Sequence, residues 1–311
     1  MNSFSIVIPL YNKVNYFQQC LESVLCQTHQ DFEIIVINDG STDGSENILE
    51  KFEDSRIKLI SQDNQGASSA RNAGIAIAKY EWIALLDADD YWYPNHLEEL
   101  QNTKVKCPKA SVICTNYEIV LEKTYLKQAS FAVDIQSKPD YVEDYFEASL
   151  IDPLAWTSAL AFTTPIFKEV GGFDTQIKSG QDIDLIVRFG LQAKMAFNPK
   201  VTMRYHRITE NNLSDRTGLR DKLAYINKHT AEEKRNASLK KYMDINRFSL
   251  GIQAKMKGDK ALFQQLRQDI DVSSLNFKQR MLFSASGFML RKLKSIQRKL
   301  VQKNIYKSPF K

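Results

Sequence analysis

Trp82-Ile83-Ala84-Leu85-Leu86-Asp87-Ala88-Asp89-Asp90 carries an apolar run straight into three carboxylates within four residues. A buried strand that ends in clustered acids is costly unless something neutralises them. Hard divalent cations such as Mg2+ or Mn2+ take oxygen ligands, using one or two carboxylates together with substrate phosphates. The stretch therefore reads either as the meeting point of a metal and a diphosphate or as a solvated acidic turn.

Upstream, buried strands alternate with helices. Residues 4–10 read as a short strand, 16–27 as a helix with Phe17, Cys20, Leu21 and Val24 at helical spacing, and 33–37 as a second strand. The loop 38–44 closes on a helix whose first turn holds Ser45 and Glu46. Residues 57–60 make strand three, 65–79 a helix rich in small residues, and 82–86 strand four. This alternation predicts a parallel sheet covered on both faces. Ligands of such sheets bind beyond the carboxyl ends of the strands. That rule lines up residues 9–12, 38–43, 63–66 and 87–90 along one edge, and four polar loops on one crevice favour the metal reading.

The first loop, Pro9-Leu10-Tyr11-Asn12-Lys13, contains no glycine. The dinucleotide fingerprint and the P-loop both need glycines there to bring backbone to phosphate, so both are disfavoured. Phosphate charge must then be balanced by a cation on the strand-four acids. Tyr11 reads as a rest for base and ribose or as a core aromatic. Asp39 reads as a nucleotide partner or as a turn residue before Gly40.

Downstream, residues 94–106 read as a helix, 110–115 and 117–127 as strands, 141–150 as a short helix and 154–162 as a Trp-bearing apolar strand. Residues 165–170 form a helical turn that breaks at Gly171-Gly172. A helix starting near Gln181 puts Asp182 in its first turn, where the helix dipole favours a carboxylate. Residues 201–206 make a last strand ending in His206.

At 311 residues, 43% hydrophobic and 25% charged, the chain has the make-up of a soluble globular protein with room for one large domain and a smaller one. No apolar run reaches the ~18 residues of a membrane span, and no secretory leader is expected from the first residues. Cys20, Cys26, Cys107 and Cys114 show no CxxC pair or zinc spacing and read as free thiols of a reducing cytosol. The net charge of +5 hides an asymmetry: the ten Lys and Arg beyond Asp271 face no acid, which leaves 32 basic and 37 acidic residues before it. A global argument for nucleic-acid binding fails on that split.

The chain resembles a family-2 glycosyltransferase of GT-A fold. The resemblance rests on Ser5-Ile6-Val7-Ile8-Pro9-Leu10-Tyr11-Asn12, Ile35-Val36-Ile37-Asn38-Asp39-Gly40-Ser41-Thr42-Asp43, Asn64-Gln65-Gly66 through Ala70-Arg71-Asn72, and Leu86-Asp87-Ala88-Asp89-Asp90. It continues with Gly171-Gly172-Phe173-Asp174 and Gly180-Gln181-Asp182-Ile183-Asp184-Leu185, and covers residues 3–214. It implies an α/β fold with a mostly parallel central sheet, a catalytic domain over 1–214 and a helical C-terminal region over 215–311. It also implies an inverting, metal-dependent hexosyl or N-acetylhexosaminyl transfer from a nucleotide-diphosphate donor of the UDP class. Pro9, Tyr11, Asp39 and Arg71 match residues that hold base and ribose. Asp87-Ala88-Asp89 resembles the DXD motif, with Asp87 toward ribose, Asp89 on Mg2+ or Mn2+ and His206 near the metal or diphosphate. Asp182 matches the general base. Gln181 stands where Glu is usual, and this neutral neighbour is expected to leave Asp182 more readily ionised. Trp156, Thr157, Gln181 and Asp90 are expected as acceptor and support residues.

Within the C-terminal region, Leu282, Met289, Leu293, Ile296 and Leu300 recur at helical spacing among Arg291, Lys292, Lys294, Arg298 and Lys299. A basic amphipathic segment over 275–311 suits an anionic membrane surface, where each basic residue is worth about 1 kcal/mol; the alternative is a helix packed on the body with a solvated basic face. The expected partners are a nucleotide-sugar donor and a glycan or lipid-linked acceptor, in bacterial surface polysaccharide synthesis. No nucleic acid is expected, since no stacking aromatics interleave the charges. The expected location is cytoplasmic or peripheral on the inner face of the cell membrane. An inactive nucleotide-sugar-binding relative and a metal-dependent nucleotidyltransferase are the alternatives; the latter lacks its Gly-rich first loop.

Overall fold

A computed structural model of the chain describes residues 3–122, 125–207, 210 and 217–306. The first half runs β1 (Phe4–Leu10), α1 (Phe17–Leu25), β2 (Phe32–Asp39), β3 (Ile57–Gln62), α2 (Ala67–Ala76), β4 (Trp82–Leu85), β5 (Tyr91–Trp92) and α3 (His96–Lys106). Then come β6 (Val112–Glu122), β7 (Tyr125–Gln128), β8 (Asp140–Tyr141), α4 (Tyr145–Ala148), β9 (Leu160–Thr163), α5 (Thr164–Glu169), α6 (Gln181–Gln192) and β10 (Met195–His206). The remainder is helical: α7 (Leu223–Lys228), α8 (Thr230–Glu233), α9 (Ala237–Lys257), α10 (Lys260–Asp269), α11 (Phe277–Ser284) and α12 (Gly287–Val301).

The strands form one sheet in the order β3-β2-β1-β4-β9-β6-β10-β5, with β7 on β6 and β8 on β10. The longer pairings, β1 with β2 and β4, β2 with β3, and β6 with β10, are parallel. Short antiparallel pairings insert β9 between β4 and β6 and add β5 at the edge. The result is a mixed α/β fold with a large, mostly parallel central sheet.

Side chains alternate across the pleat, so a strand apolar throughout feeds two cores. In β1, Phe4, Ile6, Ile8 and Leu10 join the cluster under α1, which supplies Phe17, Leu21 and Val24. Val7 points to the other face and packs with Ala70 and Ile75 of α2. The small-residue character of α2 has a direct reason: a Cβ on Gly74 would lie 2.5 Å from Val7 Cγ1. From β1 the chain builds outward through β2 and β3, then crosses back to lay β4 on the other side of β1. This topological switch sets the loops after β1 and β4 side by side.

Several expected elements differ. Residues 45–51 form a 3-10 helix instead of an α-helix. The helix expected from 65 begins at Ala67, because the carboxylate of Asp39 holds the N–H groups of Gln65 and Gly66 at 2.9 and 2.8 Å. The strand expected over 154–162 is extended only from Leu160; Thr157–Ala159 curl into a 3-10 turn that delivers Ser158 to Asp90. The last strand starts earlier than expected, at Met195, and runs through Asn198 and Pro199 with two register shifts.

The C-terminal helices share the core of the sheet. One apolar cluster holds Val7, Ile35, Leu185 and Phe189 together with Tyr225, Leu239, Met243, Phe248 and Phe283. The boundary expected at 214 and 215 lies outside the described residues. The polar tie is Asp184, fully buried in α6. Its carboxylate accepts from Arg188 Nη2 at 2.6 Å, Lys228 Nζ at 3.1 Å and His229 Nε2 at 3.0 Å. Lys228 also reaches Asp174 at 2.7 Å. Burial alone would raise the pKa of Asp184, but the bonds from His229, Arg188 and Lys228 outweigh it and hold the group down at about 2.

A carboxylate depressed in the folded state contributes stability above its unfolded pKa and loses it as pH falls through the folded value. Asp184 therefore contributes about 2 kcal/mol near neutral pH. Asp184→Asn is expected to lower unfolding free energy by at least that amount in urea at neutral pH. The gap between variant and parent closes as pH falls from about 4 toward 2. A gap that stays constant across that range would remove the ionic tie.

Candidate active site

The crevice is built where the loops after β1, β2 and β4 meet the starts of α2 and α6. The first two loops are laced together. Asn12, at φ +51°, donates its N–H to Ser41 Oγ at 3.2 Å and accepts the N–H of Thr42 on Oδ1 at 2.8 Å. Lys13 N–H donates to Ser45 Oγ at 2.8 Å and Val14 N–H to Asp43 at 3.0 Å. Pro9 sits half-buried in the β1–β2 register opposite Ile37, and Tyr11 follows half-buried at the rim.

Asp39 is buried at the end of β2. Besides Gln65 and Gly66 it accepts from Gln62 Nε2 at 2.7 Å. In this state its oxygens are occupied by the entrance of α2, so Asp39 shapes the loop that would flank a base.

Arg71 is 5% exposed, and its Nη2 donates to Asp87 Oδ1 at 2.5 Å. Its Nε and Nη1 are buried without a hydrogen-bond partner. The guanidinium lies over the Phe173 ring, 5.3 Å from its centroid. Asn72 clamps the same residue, donating to Phe173 O at 2.8 Å and accepting its N–H at 3.0 Å. The Arg71-Asn72 and Gly172-Phe173 segments, 101 residues apart, thus form one unit.

The three acids after β4 find three different partners. Asp87 takes Arg71. Asp89 Oδ2 takes the Lys13 ammonium at 2.6 Å. Asp90 is buried and accepts from Ser158 Oγ at 2.6 Å and His206 N–H at 3.1 Å. Burial first, then Asp89 and Asp87, push the Asp90 carboxyl well above the usual carboxylate range. Asp90 therefore braces the loop and β10 from inside. His206 Nδ1 lies 2.8 Å from Asp89 O. A carbonyl only accepts, so Nδ1 carries the proton and Nε2 keeps its lone pair. Burial lowers the His206 pKa, which favours this neutral form.

Among the described residues, no three Asp, Glu, His or Cys side chains gather into a ready cation site. Two donors do fit one: Asp89 Oδ2, drawn now to the Lys13 cation, and His206 Nε2, fixed by the carbonyl behind it. A hard cation needs little more from the protein when phosphates complete its shell.

Asp182 stands in the first turn of α6, whose N-cap Gly180 is left-handed at φ +82°. A Cβ on Gly180 would lie 2.2 Å from the Tyr225 ring, so α7 packs directly behind this helix start. Burial raises the Asp182 pKa; Arg71 draws it back and Asp87 raises it further. The expectation that Gln181 would leave Asp182 more readily ionised omitted this burial, which is the dominant effect. Gln181 turns inward, buried, with Oε1 unpartnered.

Trp156 is half-buried between Tyr117 and Tyr205, at ring separations of 5.5 and 4.3 Å, and forms an aromatic wall. Thr157 beside it is buried. Sequence reasoning missed Lys13, Ser158 and the Asp184 cluster; of these only the Asp184/Arg188 spacing of four carried a helix-pair signal. A cavity of about 720 Å3 opens at the far end of α2, between Ile75, Tyr80 and Phe167, and no candidate site residue lines it.

A family model described as glycosyl transferase family 2 matches residues 5–171. An uncharacterized glycosyltransferase of Rickettsia typhi is 34% identical over 206 residues, covering 64% of this chain and 62% of that protein. The putative glycosyltransferase EpsH of Bacillus subtilis is 35% identical over 151 residues, 47% of this chain and 43% of its own. The chain thus spans less than two thirds of these relatives. S. aureus TarS in complex with UDP-GlcNAc superposes with a TM-score of 0.65 at 18% identity, over 98% of this chain and 93% of that one. A mannosyltransferase from Pyrobaculum calidifontis in complex with GDP-Man and Mn2+ superposes with a TM-score of 0.55 at 14% identity, over 96% and 80%. These two likenesses concern the fold. With more than half of its length matched by the family model and its motifs gathered around one crevice, the chain belongs to glycosyl transferase family 2.

Proposed function

We propose that this chain is an inverting glycosyltransferase. It moves a hexosyl or N-acetylhexosaminyl group from a UDP-class donor to a hydroxyl of a glycan or lipid-linked acceptor, in bacterial surface polysaccharide synthesis. The observation that carries the reading is the gathering of the Arg71–Asp87 pair, the Lys13–Asp89 pair and His206 at one sheet edge, with Asp182 in the first turn of α6. The complex of TarS with UDP-GlcNAc supports the donor class, and the complex of the mannosyltransferase with Mn2+ supports a divalent cation.

Pro9, Tyr11 and Asp39 border the base and ribose. Arg71 offers two buried, unsatisfied N–H groups to an anion or hydroxyl while it holds Asp87 toward the ribose. Asp89 and His206 would hold Mg2+ or Mn2+, which when bound would supply Lewis-acid neutralisation of charge on the leaving diphosphate. Lys13, paired with Asp89, brings its own positive charge to the same region. Trp156 walls the acceptor, with Thr157, Gln181 and Asp90 supporting the wall and loop from behind. Asp182 takes the proton of the acceptor hydroxyl as its oxygen bonds to the anomeric carbon. The bond from that carbon to the diphosphate breaks on the opposite face, and the nucleoside diphosphate leaves with the electron pair. One carboxylate suffices, because charge neutralisation replaces the general acid that a hydrolase needs.

Asp182→Asn is expected to reduce transfer by about 10²-fold or more while donor binding, read by calorimetry, stays within a few-fold. Because burial raises the Asp182 pKa, the acidic limb of the parent's kcat/KM profile is expected above the ordinary aspartate range. An Asn variant that transfers at the parent rate refutes the assignment. Asp89→Ala tests the other half. UDP binding by the parent strengthens when Mn2+ is added, and the variant loses that increment. Equal increments in both return the acids to the reading of a solvated turn.

A further inference from the structure

The large exposed apolar side chains of this protein concentrate in its last two helices. Phe277 and Met281 of α11 and Phe288, Met289, Leu293 and Ile296 of α12 all face solvent, with Phe277 73% and Phe288 71% exposed. In α12, Met289, Leu293 and Ile296 recur at four and three residues, which is one face of a helix. That face is distinct from the one by which α12 is packed, where Leu290 and Val301 are buried. The amphipathic segment expected as one piece is in fact two helices, separated at Ala285 and Ser286, so Leu282 belongs to α11. Residues 307–311 lie outside the described residues.

The helix is fixed in place. Arg291 Nη1 donates to Met256 O at 2.8 Å, Lys255 Nζ to Phe283 O at 2.6 Å, and the Tyr306 ring lies 5.2 Å from Lys127 Nζ of β7. The exposed stripe is therefore a built surface on a packed element. Within α11 and α12 the charge has one sign, since no acid follows Asp271. Lys292 and Lys299 flank the stripe on one side. Lys294 and Arg298 are exposed beyond the packed Leu290 and Val301.

We propose that the exposed face of α11 and α12 docks this protein on an anionic lipid bilayer. The stripe requires an apolar environment and its flanks require anions, and a bilayer with acidic headgroups provides both at one depth. Nucleic acid would satisfy the cations but leave the aliphatic side chains exposed, since they offer no stacking platform. A second copy would cover the apolar stripe but set two basic faces against each other. Among the described residues no helix is long and apolar enough to cross a membrane, so the attachment is peripheral. The proposal does not depend on which sugar is transferred, nor on transfer itself.

The test uses the full chain in vesicle flotation, with phosphatidylcholine vesicles alone or containing phosphatidylglycerol. Binding to the anionic vesicles is expected to exceed binding to the neutral ones by about tenfold or more and to weaken as salt is raised. Phe288→Ser with Met289→Ser, and separately Lys292→Glu with Lys299→Glu, are each expected to abolish the difference without lowering the melting temperature. All four side chains are exposed, and the salt and lipid comparisons on the parent chain need no variant. Equal flotation on both vesicles, or flotation unaffected by both pairs, overturns the proposal. So does a parent dimer that the serine pair dissociates, or retention of an oligonucleotide tighter than that of anionic vesicles.

Discussion

Three carboxylates within four residues at the buried end of β4 repel one another in a medium that screens them poorly. The crevice is the set of partners that makes this arrangement tolerable. Each acid draws a neighbour from a different part of the chain: Arg71 from α2, Lys13 from the loop after β1, Ser158 from the turn before β9 and the His206 backbone from β10. The same contacts fix the geometry of the crevice. Arg71 brings Phe173 beneath it, and the loop after Phe173 leads to the helix that carries Asp182. Removing any one acid would therefore release an element as well as a charge.

The three acids are not equivalent, and burial separates them. Asp90, sealed by two hydrogen bonds, is a brace whose pKa is driven up. Asp89 stays accessible enough to exchange a lysine for another cation, and Asp87 is held by a guanidinium with N–H groups to spare. A ligand carrying negative charge would find two cations, Lys13 and Arg71, and a cation would find Asp89 with the free nitrogen of His206. Complementary charge of both signs at one sheet edge suits a metal-diphosphate pair better than either alone.

Strands β1, β2 and β4 were legible in the sequence because they are largely apolar runs buried on both faces, the mark of a parallel sheet; β3, half-exposed at the sheet edge, was marked by its place in the alternation with helices. The loops that follow were legible for the same reason: strand ends in such a sheet have one possible address. What could not be read was polar structure inside the second half. Asn198 and Pro199 look like a break, yet β10 runs through them. The Asn198 amide is buried against Glu99 O, Glu99 Oε2 and Thr103 Oγ1 at 2.9 to 3.2 Å. Residues 154–162 look uniformly apolar, yet the chain turns at Ser158 because Asp90 and the Trp92 indole, which donates to Ser158 O at 2.6 Å, need its polar atoms. Both are long-range satisfactions of buried polar groups, and no local pattern announces them.

Asp182 and Asp184 show the same division on a single helix. They lie two residues apart in one motif of the sequence, where only the i,i+4 spacing of Asp184 and Arg188 separates them beyond a resemblance. In the fold they point to different environments. Asp184 meets Arg188, Lys228 and His229, stays ionised down to about 2, and ties the C-terminal helices to the sheet. Asp182 meets a rim where burial raises its pKa against the offsetting Arg71 charge and the N–H groups of the helix start, with Tyr225 of α7 packed behind. One carboxylate serves the structure, and its neighbour has its pKa raised by burial, which suits the base role proposed for it. The C-terminal helices supply Lys228 and His229 to the first and the Tyr225 backing to the second. They are part of what makes the two acids differ, and a catalytic half cut free of them would lose that distinction.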